Sequence, residues 1–384
     1  MGKSKIWLSS PHIGKNELNY VNEAFATNWI APLGPHVNAF EQALQVETKS
    51  SHAAALSSGT SALHLALILL GVKADDIIFC QSMTFSASAN PIAYQGAIPI
   101  FIDSEIDTWN MDPTLLRKAL QDAKENKRMP KAIIPVHLYG MPAKIDEIIS
   151  IANEFDVPVI EDAAEALGSN INNNPCGNFG KFGVLSFNGN KIITTSGGGA
   201  LLSKNGELIE KARFLSTQAR DAAPHYQHSE IGYNYRMSNV LAGIGRGQLE
   251  VLADRVSARR NNYEKYRNFF SKYNKVGFNI QFQEEPNGYF SNRWLTCIII
   301  DPKNNKGLTR EEIRLAMELE NIETRPLWKP MHQQPVFASS VNYLNGVSDN
   351  LFDNGLCLPS GSNLTEEDFE RIFHCLNTLF LKYS

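Results

Sequence analysis

Between residues 50 and 205 the chain alternates short, continuously apolar runs with longer amphipathic stretches, and this alternation restricts the fold more than any other feature. The apolar runs cover residues 53–56, 77–80, 98–102, 132–136, 157–160, 184–187 and 200–203. Runs that are apolar at nearly every position, rather than at every second one, belong to strands covered on both faces. Helical spacing fills the intervals at 61–70, 113–123 and 145–154, and Gly71 stands where a helix C-terminal cap belongs. The pattern predicts an α/β fold: a large domain with a seven-stranded, mostly parallel sheet flanked by helices. After residue 235 the texture changes. A long, charged, helix-favouring stretch runs from 239 to about 272, followed by strand-like residues 294–300, a helix at 310–320 and a last helix after Thr365. The expected division is a large domain over 1–250 and a smaller C-terminal α+β domain over 251–384.

A chain of 384 residues, 43% hydrophobic and 20% charged, has the balance of a soluble two-domain protein. Its formal charge of −4 offers no basic surface for nucleic acid. Arg255, Arg259 and Arg260 lie among Glu250, Asp254 and Glu264 and read as a solvated helix face. The longest apolar run, 63–70, is far too short to cross a bilayer, and the first residues lack the apolar stretch of a signal peptide. Five scattered cysteines suggest no disulfide framework, and no Cys/His group has metal-ligand spacing. The chain reads as cytoplasmic, without membrane, nucleic-acid or metal partners.

Four segments at strand ends carry the chemistry. In SFNGNKIITTSGGG, Lys191 follows one apolar strand and precedes a Gly-rich turn into another. Most lysines are solvated surface, but one at the mouth of a sheet can lose solvation and serve as a neutral amine that forms a Schiff base. Ser186, at the strand end, offers a hydroxyl to a phosphate. In VPVIEDAAEALG, Asp162 ends a strand, at the edge where open α/β sheets bind ligands. It suits either a helix N-cap or the partner of a pyridine nitrogen. SSGTSALHL opens a helix directly after a strand, which is a phosphate cradle or simple capping. Phe85, in QSMTFSASANP, is an aromatic after a further strand and suits stacking or core packing.

Taken together with VHLYGMP, GYNYRMSN and ETRPLWKPMH, these segments resemble, over nearly the whole chain, the DegT/DnrJ/EryC1/StrS family of sugar aminotransferases, within the aspartate aminotransferase (fold type I) superfamily. The resemblance implies that pyridoxal 5′-phosphate is the cofactor, covalently held by Lys191, with pyridoxamine 5′-phosphate as its aminated form. Asp162 would pair with the pyridinium nitrogen and Phe85 would stack on the ring. Gly59, Thr60 and Ser186 would hold the phosphate. Asn234 would reach the phosphate of a neighbouring subunit, which implies a homodimer with shared sites. Glu165 departs from the glutamine found in many members, which contacts the phenolic oxygen. The intact Lys191 sets the chain apart from related sugar dehydratases, which replace the lysine, often with histidine. The resemblance further implies L-glutamate as amino donor and a nucleotide-linked keto sugar as acceptor. SFNGNKIITTSGGG is most similar to enzymes aminating UDP-4-keto-6-deoxy-N-acetylhexosamines at C4, with GDP- and dTDP-linked sugars as alternatives. Trp29, Pro32, His36, Arg325, Lys329 and His332 are the expected sugar-nucleotide contacts, whereas His64 and His137 are expected to be structural.

Overall fold

All seven apolar runs form strands in the computed structural model, which describes residues 3–384. They are β1 (His52–Leu56), β2 (Ile77–Gln81), β3 (Ile98–Ile102), β4 (Ala132–Ile134), β5 (Ile160–Asp162), β6 (Phe182–Ser186) and β7 (Gly199–Ser203). Their order across the sheet is β1-β7-β6-β5-β4-β2-β3, with β4 and β5 joined by the bridges Ile133–Val159 and Val136–Asp162. Only β7 runs against the rest, and a two-residue strand, Asn342–Tyr343, adds in parallel beyond β3. Two prolines trim the expected ends. Without an N–H, Pro135 and Pro158 cannot donate to the ladder, so β4 stops before the first and β5 starts after the second.

Helices α1 (Glu17–Ala26), α2 (Pro35–Thr48) and α3 (Gly59–Leu69) come first in the chain. In α3 every residue from Ser61 to Leu67 is buried, because it lies between the sheet and further helices. Gly71 follows it at φ +71°, the left-handed conformation that glycine adopts without a Cβ penalty. The clasp at the end of β5 is dense. Glu161, fully buried, accepts the N–H groups of Gly177, Phe179 and Gly180 and lies 3.0 Å from His137 Nε2. His137 Nδ1 accepts the Ala143 N–H, so this histidine is a structural strut, as expected.

The long charged stretch is two helices, Asn239–Leu249 and Leu252–Asn274, with the break at Glu250–Val251. The second packs through stacked Phe269 and Phe373 against the last helix, Glu366–Phe380, over an antiparallel sheet of Gln281–Phe282, Thr296–Ile299, Gly355–Leu358 and Arg325–Pro326. The expectation of a solvated basic face fails here. Arg259 is 1% exposed and donates to Trp294 O, Ser360 O and Ser9 Oγ, joining the N-terminal segment to two later loops. Burial, with the neighbouring Arg255 charge, pulls its guanidinium down to about 9. Among the described residues no helix is long and apolar enough to cross a membrane.

Candidate active site

The carboxyl ends of β1, β2, β4, β5 and β6 and the start of the reversed β7 share one edge of the sheet, and the loops leaving them enclose a cavity of about 620 Å³. Gly59 and Thr60 open α3 on one wall, where Ser58 Oγ caps the helix by accepting the Ser61 N–H at 3.0 Å. The first N–H groups of a helix have no partner within it. Those of Gly59 and Thr60 remain without one among the described residues, beside the Ser186 hydroxyl. Gly199 makes this approach possible: a Cβ there would stand 2.3 Å from Gly59 N. We expect Gly199→Ala to destabilise the protein by about 1–3 kcal/mol and to displace the α3 N-terminus, weakening phosphate binding. Thermal melting and cofactor titration would read both effects, and an unchanged variant would contradict this description of the turn.

Across the cavity, Lys191 stands on a hairpin closed by Phe187 N–Gly198 O and Thr195 N–Phe187 O hydrogen bonds. Its Nζ lies 3.1 Å from Glu165 Oε1 and 4.3 Å over the Trp294 ring. Glu165 is 3% exposed, and its second oxygen accepts the Tyr139 N–H at 2.7 Å. Burial pushes the Glu165 carboxyl above the ordinary carboxylate value, even with the Lys191 charge pulling it back. Asp162 is not a helix N-cap. Its carboxylate takes the Ala164 N–H and the Ser88 hydroxyl at the cavity floor. Phe85 is 56% exposed, with Trp328 at 5.5 Å, so one of its faces is open.

This set of groups suits pyridoxal phosphate: free helix N–H groups for the phosphate, an acid for the ring nitrogen, an open aromatic face and an amine for the aldehyde. A model of the DegT/DnrJ/EryC1/StrS aminotransferase family matches residues 11–377. The chain belongs to this family. It is 53% identical to the putative pyridoxal phosphate-dependent aminotransferase EpsN of Bacillus subtilis, over 98% of this chain and 96% of the relative. It is 33% identical to GDP-perosamine synthase of Escherichia coli O157:H7, over 96% and 97% of the two chains. The crystal structure of a DegT DnrJ EryC1 StrS aminotransferase from Brucella abortus superposes with a TM-score of 0.86 at 29% identity, covering 95% of each chain. Enzymes of this family use pyridoxal phosphate, and this chain is an aminotransferase of that fold.

Of the residues expected to contact a sugar nucleotide, only Arg325 lines the aminotransferase cavity, and it is paired with Glu323 at 2.8 Å. His36 is corrected: it is 1% exposed, its Nε2 facing Tyr20 O and its Nδ1 accepting from Arg246, so neither ring nitrogen is left for a ligand. His332 is likewise spent, between the Ser82 hydroxyl and the Asp349 carboxylate. Lys329 is exposed and lies outside the cavity wall. Trp29 and Pro32 sit on an exposed loop away from their own cavity, tied down by Asn239 through Trp29 O and Ala31 O. Asn234 is also exposed and outside that cavity. Sequence reasoning missed Ser88, Trp294 and Trp328. Trp328 and Ser88 had a signal, since each lies in a segment already singled out, ETRPLWKPMH and QSMTFSASANP; Trp294 had none beyond residue type.

Proposed function

We propose that the protein transfers the amino group of L-glutamate to the keto carbon, C4, of a nucleotide-linked keto-deoxy sugar in glycan biosynthesis. The first candidate acceptor is UDP-4-keto-6-deoxy-N-acetylhexosamine. The observation that carries this reading is the meeting of Lys191, Asp162 and the α3 N-terminus on one cavity. Bound pyridoxal phosphate supplies an electron sink and a temporary carrier for the amino group. The rest is the work of the chain. Gly59, Thr60 and Ser186 anchor the phosphate, and Phe85 covers the ring. Asp162 holds the proton on the ring nitrogen. Lys191 would bind the cofactor covalently; once freed, its Nζ would take the proton from the α-carbon of glutamate and pass it to the cofactor's aldehyde carbon within the same half-reaction. In the second half it would move a proton the other way, onto the acceptor carbon of the sugar. Trp294 packs against the Lys191 amine and helps hold it in place.

The exposed Trp29 loop and Asn234 suit a homodimer in which each subunit completes the other's site. Phe25 at the end of α1 and Trp29, Ile30 and Leu33 on the loop after it are exposed apolar residues, as at an interface. Trp29, Pro32 and Asn234 would then serve the neighbouring cavity.

A GDP-linked 4-keto sugar is the second reading, favoured by the 33% identity to GDP-perosamine synthase. The name of the 53% identical relative leaves the sugar open. Incubating the enzyme with L-glutamate and either the UDP- or the GDP-linked 4-keto-6-deoxy sugar, with mass spectrometry of the sugar nucleotide, separates the two. We expect an amino sugar from the UDP substrate. Amination of the GDP substrate alone would replace the first reading with the second, and amination of neither would remove both.

A further inference from the structure

Asp162 is held by more than its strand. Its Oδ1 accepts the Ala164 N–H at 3.1 Å, and its Oδ2 accepts the Ser88 hydroxyl at 2.6 Å. A serine hydroxyl has one proton, and that of Ser88 is spent on the carboxylate. Ser88 therefore accepts from Thr84, whose Oγ1 lies 2.6 Å away. Both hydroxyl residues are 1% exposed. Thr84 lines the cavity, while Ser88 stands behind it, off the cavity wall. The result is a one-way chain of protons from Thr84 to Ser88 to Asp162.

The terminal torsion of an aspartate is broad, so its rotamer alone does not fix the plane of the carboxylate. Two donors on two different oxygens do fix it. Each oxygen has two lone pairs and spends one, which leaves one on each free for the cavity. We propose that Ser88, backed by Thr84, is a positioning residue that sets the plane of the Asp162 carboxylate against the cofactor's pyridine nitrogen, and so sets how tightly the ring is held. This rests on the cofactor assignment above. Without the Ser88 hydroxyl, Oδ2 loses its buried donor and the carboxylate turns away from its working plane.

The test is a cycle of substitutions read by cofactor binding rather than turnover. Protein freed of cofactor is titrated with pyridoxal phosphate, as wild type and as Ser88→Ala, Ser88→Thr, Asp162→Asn and the Ser88→Ala/Asp162→Asn double variant. Ser88→Ala is expected to weaken binding about tenfold, the worth of a hydrogen bond to a charged group. Ser88→Thr, which keeps the hydroxyl, is expected to restore it. In the Asp162→Asn background the same Ser88→Ala change is expected to alter binding by less than about twofold, because its effect passes through the carboxylate. Wild-type affinity in Ser88→Ala overturns the proposal. So does an undiminished tenfold loss in the Asp162→Asn background, which would make Ser88 a shaper of the cavity instead. If Ser88→Ala does not fold, Thr84→Val enters the same cycle, with a smaller loss in the same direction. A wild type that binds no pyridoxal phosphate would overturn the cofactor assignment together with this proposal, and so stands apart from a failure of the relay alone.

Discussion

Lys191→Ala is expected to lower amino transfer from L-glutamate by roughly 10⁴-fold, the upper end of what a positioned acid–base group contributes. The size follows from the wall it leaves. Glu165, Trp294 and the Asn188–Lys191 turn fix the amine within the cavity, and no other lysine lines it. The variant is expected to keep its cofactor without a covalent bond, since the phosphate seat and Asp162 are untouched. Single-turnover absorbance measurements with glutamate would read the loss, and absorbance of the dialysed variant would read cofactor retention. Turnover within about tenfold of wild type would exclude Lys191 as the proton carrier.

The largest effect on stability is expected from Glu41→Ala. Glu41 is 4% exposed and belongs to α2, yet it serves three elements. One oxygen accepts from Arg236 Nη1 and from the Ala55 N–H, both at 2.8 Å, and the other accepts from Arg213 at 2.7 Å. Arg236 is itself buried, and its other side-chain hydrogen bond among the described residues is one of 2.9 Å to Ala55 O. Removing the carboxylate leaves a buried guanidinium without its counter-charge, which costs about 3–5 kcal/mol. Arg236 stands two residues after Asn234, so the loss is expected also to loosen the segment that carries Asn234. Chemical denaturation at neutral pH would show a lower midpoint for Glu41→Ala. A change under about 0.5 kcal/mol, the size expected for a surface site, would contradict the buried-pair account.

What was legible in the sequence is what topology converts into position. Lys191, Asp162, Phe85 and Gly59 each follow a strand closely, and a parallel sheet carries the ends of its strands to one edge, so residues far apart in sequence were predictable neighbours. The same logic gave the strands themselves, with end errors beside Pro135 and Pro158, which withhold a donor, and shifts of one or two residues elsewhere, as at Phe182–Ser186. It did not extend to the proposed sugar contacts. His36 and His332 are polar residues in promising motifs, but their partners are Tyr20 and Arg246 in one case, Ser82 and Asp349 in the other. Those pairings are tertiary, and nothing near either histidine in sequence announces them. Ser88 shows the converse: 74 positions separate it from Asp162, so its role was invisible until the fold brought them together. Arg259 fails for the same reason, since a helix face that looks charged is solvated only if nothing packs on it.

The most direct test is one absorbance trace. Holoenzyme is first treated with L-glutamate, which should bleach the long-wavelength cofactor band as the amino group is taken up. UDP-4-keto-6-deoxy-N-acetylglucosamine is then added to the glutamate-free protein. The account predicts that the band returns as the sugar accepts the amine. A band that glutamate leaves unchanged would contradict the account at its first step.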